Sequence, residues 1–438
     1  MKEMLEALKE LVAIESVAEP GCKLRGCPYG AGVNRALHNA LELCQQFGFR
    51  TKDCDGKTGW AEIGSGDPMT GLLVHLDTVP IGEGWSVEQC AVRDGILYGR
   101  GVIDDKGPAI ACIYAMKELL DTGLPLKGRI RLIFGQMEET GNWEDIAYYK
   151  QHEELPDRGF TPDADFPLIF AEKGLCVLQL QMPAGANLLQ LSGGTACNVV
   201  PAECRCQLKL EDGSTKILCA KGKSAHGSMP ENGVNAISLL MQQLYKLHAA
   251  GNVHVPFSQF YHDCIGMNLH GEGIGCDAED DVSGRLTMNC GTICMENGSI
   301  KMTVDIRYPV QCDYDALLTK IRSKAAEYGV DVSCTMHMKP VNIPLDTPFV
   351  QTLLHAYQTV TGDHCDPIAI GGGTYARAME HIVAFGALLP GRPLTEHQAD
   401  EHIALEDLYT AKKIYFEALK SLHAKTDEIE PTENSECP

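Results

Sequence analysis

Over its first 175 residues this 438-residue chain alternates short apolar runs with helical spacing. Segments 71–75 (GLLVH), 129–135 (RIRLIFG) and 167–171 (PLIFA) are apolar runs of strand length, the pattern of strands buried on both faces. Around them the spacing predicts helices over 2–16, 31–47 and 107–121. Such alternation packs helices on a largely parallel sheet, and ligands then collect outside the carboxyl ends of its strands. From about residue 176 the texture changes. Segments 175–182, 204–210 and 215–221 read as separate strands, 286–307 as a hairpin turning at Glu296-Asn297-Gly298, and 234–249 and 313–327 as helices. After 343 the first texture returns, with helices over 346–360 and 405–423 and an apolar run at 383–388. The expected fold class is α/β: a domain with a mixed, largely parallel sheet (1–175 and 343–438) interrupted by an inserted α+β domain (176–342). The tail beyond Ala424 is polar and contains prolines, and is expected to be loose.

Lys plus Arg number 37 against 59 Asp plus Glu, a formal net charge of −22. That balance excludes binding nucleic acid through phosphate contacts, which needs clustered cations, and gives no attraction to anionic membranes. No stretch approaches the ~18 uninterrupted apolar residues of a membrane span. The opening MKEMLEALKELVAIES has charges among its apolar residues, which suits an amphipathic helix and not a secretion signal. Nineteen cysteines are scattered along the chain, with no CxxC pair. They read as buried, reduced thiols of a cytoplasmic protein.

The chemistry-bearing residues fall at the ends of the apolar runs. His75 and Asp77 close the first (GLLVHLDTVP), and residues two apart in an extended chain share a face. Asp104 and Asp105 (GRGVIDDKGP) directly precede a helix, where a pair of carboxylates is by itself only a helix-start signal. Glu138 and Glu139 (MEETGN) follow the next strand, Asp163 (FTPDADFP) precedes another, and His397 (LTEHQADEH) precedes the last helix. Each pair alone is a weak signal. Together they place imidazole and carboxylate donors, without thiolate, around one sheet edge, a set that suits Zn²⁺, Mn²⁺ or Co²⁺.

HLDTVP, GRGVIDDKGP, MEETGN, FTPDADFP, GKSAHGSMPENGVNA, DIRYP, GGGTYAR and HQADEH, in that order, resemble the co-catalytic zinc superfamily of aminoacylase, succinyl-diaminopimelate desuccinylase and carboxypeptidase G. GRGVIDDKGP, FTPDADFP and GGGTYAR are most similar to its dipeptidase V branch, the Xaa-His or β-Ala-Xaa dipeptidases. The resemblance implies two divalent metal ions, Zn or Mn with Co as a further option. His75 and Asp163 would hold one ion, Glu139 and His397 the other, and Asp104 would bridge them, with a cis peptide after it. Asp77 would orient the His75 ring, and Glu138 would be the general base for attack of a metal-bridging water. His226 (GKSAHGSMP) would stabilise the oxyanion. Asn198, Arg307, Gly372 and Gly373 would hold the substrate carboxylate.

The implied enzyme is a metallodipeptidase that cleaves dipeptides or short peptides with a free amino end and a free carboxylate. The inserted domain would serve as an internal lid on a monomer. An N-acyl amino acid deacylase of the desuccinylase kind is the alternative on the same machinery, and a non-catalytic metal-dependent ligand-binding protein is the alternative of another class. Neither Glu138 nor any implied ligand is missing, which disfavours the last.

Overall fold

The structure, a computed structural model, describes residues 2–141 and 143–423, so the polar tail beyond Ala424 lies outside the described residues. The described residues divide into two compact units: those of 2–170, 343–368 and 374–423 form one, and 171–342 with 369–373 form the other.

The sheet of the first unit is mixed. From one edge its strands run Arg50–Cys54, Thr58–Ser65, Gly128–Gly135, Met69–His75, Arg158–Thr161, Ile382–Ala384 and Ile169–Glu172. The central pairings are parallel: Met69–His75 lies between Gly128–Gly135 and Arg158–Thr161, and Ile382–Ala384 follows Arg158–Thr161. The outer pairings are antiparallel. Every residue of Met69–His75 is buried, as its unbroken apolar run requires. The edge hairpin of Arg50–Cys54 and Thr58–Ser65 went unread in the sequence because its outer strand is mostly exposed and polar. Its turn uses left-handed backbone at Asp55 and Gly56.

Helix Leu405–His423 packs against both Lys106–Asp121 and Pro348–Thr361, and Ala31–Gln46 covers the edge hairpin. Lys106–Asp121 is buried nearly all round, which accounts for its weakly amphipathic sequence. Leu72, Val74, Ile110, Ile113, Leu132, Phe134, Leu408 and Ile414 form the centre of this unit's core.

The second unit is a seven-stranded antiparallel sheet ordered Thr215–Lys221, Glu203–Lys209, Leu188–Gly193, Thr287–Glu296, Ser299–Tyr308, Gly174–Pro183, Asp331–Met338. The hairpin turn falls at Asn297 and Gly298, both in left-handed backbone, the chemistry of a tight hairpin loop. Helices Ala236–Ala249, Pro256–Cys264 and Tyr314–Ala326 share a core with the sheet, built on Leu178, Leu240, Leu244, Phe260, Met302 and Ile321. Asn235 starts the first of these helices by accepting from the backbone N–H of Ile237 and Ser238. Pro256–Cys264 and the edge strand Asp331–Met338 were not evident in the sequence: the one is short, and the other is half exposed with no apolar run.

Leu72 is fully buried at the middle of the central strand. Leu72→Ala should therefore lower unfolding stability by about 2–5 kcal/mol, read from the urea midpoint at fixed metal concentration.

Candidate metal centre

Three neighbouring parallel strands end side by side, with His75 in register with Gly135. His75 is fully buried, and its ring orientation is set by its own chain. Nδ1 lies 3.0 Å from the backbone carbonyl of Asp77. A carbonyl only accepts, so Nδ1 carries a ring proton and Nε2 is the nitrogen turned to the carboxylates. It lies 2.9 Å from Asp104 Oδ1 and 3.6 Å from Asp163 Oδ2. His397, in left-handed backbone with φ 61°, brings its Nε2 to 2.9 Å from Asp104 Oδ2 and 3.0 Å from Glu139 Oε2. The two oxygens of Asp104 thus face two different imidazoles. Ligand atoms of His75, Glu138 and Asp163 all lie within 4.8 Å of one another, and so do those of Asp104, Glu139 and His397.

A cation suits this site on electrostatic grounds. Burial raises the proton affinity of Glu138, and the nearby charges of Asp163, Asp104 and Asp77 add to it. Burial likewise raises Glu139 and Asp163, each with Asp104 adding to the effect. Hydrogen bonds to Asp104 and Glu139 push His397 up to about 10. Imidazole nitrogens and carboxylates that face each other at 2.9–3.6 Å hold positive charge between them, as a ring proton or as a bound cation. Divalent ions supply it, and these separations suit donor atoms that share an ion at bond lengths near 2 Å. The residues present fit two divalent ions. The peptide after Asp104 is cis.

The support beneath the donors is largely backbone, and the sequence did not disclose it. Asp77 Oδ1 accepts from the Glu138 N–H at 3.2 Å, and Oδ2 from the Glu139 N–H at 3.1 Å. Its carboxylate comes no nearer than 3.5 Å to His75 Nδ1, so Asp77 orients that ring through its carbonyl and holds the Glu138–Glu139 turn through its side chain. Asp145 Oδ2 accepts from Gln136 N–H at 2.5 Å and Met137 N–H at 3.1 Å. Two buried carboxylates therefore hold four consecutive amides. The Tyr375 hydroxyl donates to Asp145 at 3.1 Å, and its ring meets His75 edge-on at 6.0 Å between centroids. A Cβ at Gly135 would collide with that hydroxyl, so only glycine fits there.

Asp105 Oδ2 accepts from the His75 N–H at 3.0 Å. Glu401 is fully buried: it pairs with Arg100 at 2.5 Å and accepts from Gly101 and Ile103 N–H at 2.8 and 3.3 Å. It ties the loop carrying Asp104 to the loop carrying His397. Glu401 had a signal, four residues after His397 in HQADEH, whereas Asp145 lies in the first turn of helix Glu144–His152, where an acid is common and draws no notice.

Asn198, His226, Arg307, Gly372 and Gly373 all belong to the second unit. Gly227 N–H donates to the Asn198 carbonyl at 2.7 Å, and Val199 pairs with His226 in an isolated bridge. Arg307 Nη1 donates to the Gly371 carbonyl at 3.2 Å. Asp305, which the sequence reading passed over, takes the other edge of that guanidinium, with Nε and Nη2 each at 2.8 Å. N–H groups on Nη1 and Nη2 remain for a further acceptor.

Residues 71–421 match the profile of Peptidase family M20/M25/M40. This chain belongs to that family. It is 36% identical to "Putative dipeptidase YtjP" of Bacillus subtilis (strain 168), across 96% of this chain and 97% of that one. Its fold is that of human carnosine dipeptidase 1, at a TM-score of 0.61 and 18% identity over 95% of both chains. Aminoacylhistidine dipeptidase from Vibrio alginolyticus matches at a TM-score of 0.61 and 12% identity, over 97% of both. As a family member the protein is a peptide hydrolase that uses divalent metal ions. No described helix is long and apolar enough to cross a membrane.

His75→Ala should abolish retention of at least one ion per chain, measured by elemental analysis after dialysis. Chelation of the wild type should lower Tm, since ions that bind only the folded chain stabilise it.

Proposed function

We propose that this M20 peptidase is a two-metal dipeptidase acting on dipeptides and short peptides with a free amino end and a free carboxylate. The observation that carries the reading is Asp104, whose two oxygens face two imidazoles, each beside further carboxylates. His75 and Asp163 would hold one ion, Glu139 and His397 the other, and Asp104 both; Zn or Mn is the native metal on this reading, with Co an option. The bound ions supply Lewis acidity toward the scissile carbonyl and the attacking water.

Glu138 takes a proton from that water and passes it to the leaving amine. Its burial among other carboxylates raises its proton affinity, which suits a base that must also give its proton back. Asp77 holds Glu138 and Glu139 in place by their amides. His226 donates to the oxyanion. Arg307, Asn198 and the N–H groups of Gly372 and Gly373 hold the substrate carboxylate, with Asp305 fixing the Arg307 plane. The chain works as a monomer in the cytoplasm. Free thiols at every described cysteine support a reducing compartment.

A panel of β-Ala-His, Leu-Leu and succinyl-diaminopimelate tests the substrate class. Dipeptide turnover is expected, and exclusive cleavage of the succinyl compound would overturn the reading in favour of a deacylase. Glu138→Gln should keep its metal content and lose turnover by about 10²–10⁴-fold. Wild-type kcat in that variant would remove Glu138 from proton transfer.

A further inference from the structure

The turn that carries His226 also decides which of its ring nitrogens holds the proton. Ser228 Oγ lies 2.6 Å from His226 Nδ1, and the Ser228 backbone N–H is directed at the same nitrogen at 3.3 Å. A backbone N–H can only donate, so Nδ1 must present its lone pair there. The Ser228 hydroxyl, free to donate or accept, is left to donate as well. The single proton of the neutral ring then sits on Nε2.

The turn is held in this shape from several sides. Gly227 N–H donates to the Asn198 carbonyl at 2.7 Å, and Met229 N–H to the His226 carbonyl at 3.1 Å. Gly371 lies so close that a Cβ there would sit 3.7 Å from Ser228 Cβ. Partial desolvation and the charge of Arg307 lower the proton affinity of His226, which favours the neutral ring.

We infer that Ser228 is a positioning residue that holds His226 as its Nε2–H tautomer, so that the ring meets the substrate as a hydrogen-bond donor and not as a base. The inference rests on the reading of His226 as the oxyanion donor. The chain contains its own contrast. Behind Nδ1 of His75 stands a carbonyl, which draws the proton to Nδ1 and leaves the Nε2 lone pair for a cation. Behind Nδ1 of His226 stand two donors, which reverse the tautomer. A carboxylate in the place of Ser228 would prepare the ring to accept a proton, as in a nucleophile–histidine–carboxylate triad. With a lone pair on Nε2 the ring would repel the developing oxyanion that the Nε2–H form stabilises.

The test uses the Zn²⁺-loaded protein with ¹⁵N-labelled histidine, the His226 signals being assigned by their loss in His226→Gln. Near neutral pH the expected result is an unprotonated Nδ1 and a protonated Nε2. Ser228→Ala should give a mixture of tautomers and a kcat lower by roughly threefold to tenfold, the size of one hydrogen bond, with KM unchanged. Ser228→Thr, which keeps the hydroxyl, should restore both. A protonated Nδ1 in the wild type would overturn the proposal. So would a Ser228→Ala variant with wild-type tautomer and wild-type kcat. If the tautomer is as assigned and His226→Gln still turns over like wild type, the oxyanion role falls while the tautomer assignment stands.

Discussion

Asp104, Glu138, Glu139 and Asp163 converge on two imidazoles where three parallel strands end, and in that place like charges repel one another in a poorly solvated setting. Cations held between them would offset that repulsion. Among the described residues, Lys106, buried nearby on the chain, donates to the backbone carbonyls of Leu11 and Ile14 and not to these carboxylates. The arrangement thus suits ions supplied from outside the chain, in keeping with the divalent metal ions that the family uses.

What keeps the donors in place is mostly backbone hydrogen bonding to buried carboxylates. Asp77 and Asp145 together hold the four amides from Gln136 to Glu139, and Glu401 holds those of Gly101 and Ile103 while paired with Arg100. Burial raises Asp145 to about 6 and Glu401 to about 7, so each depends on these donors to keep its charge near neutral pH. Stability and function are linked at these positions, because a supporting carboxylate that loses its charge also loosens a loop carrying a metal donor.

Histidine serves this chain in opposite senses. His75 and His226 differ in the group behind Nδ1, a carbonyl for one and a hydroxyl with an amide for the other. On the proposed reading, the same side chain is thereby prepared to bind a cation in one unit and to donate a proton-bearing edge in the other. Arg307 shows a similar economy: Asp305, two residues away on the same strand face, fixes its plane and leaves part of the guanidinium free.

The sequence by itself determined the α/β class, the placing of His75, Glu138 and Glu139 after buried apolar runs, and the family, because apolar periodicity and ordered motifs are local properties of the chain. It also indicated the hairpin at Asn297 and Gly298, where turn chemistry is local. It missed the edge strand Arg50–Cys54 and the helix Pro256–Cys264, whose signals are short or interrupted by polar residues. Only the tertiary structure decided that Asp77 spends its carboxylate on amides 61 and 62 residues away, that Glu401 reaches back 300 residues to Gly101, and that Asp145 meets Tyr375 across 230. It also decided which oxygen of Asp104 faces which imidazole. Such pairings depend on how separate strands and loops are brought together in space, and no spacing along the chain encodes them.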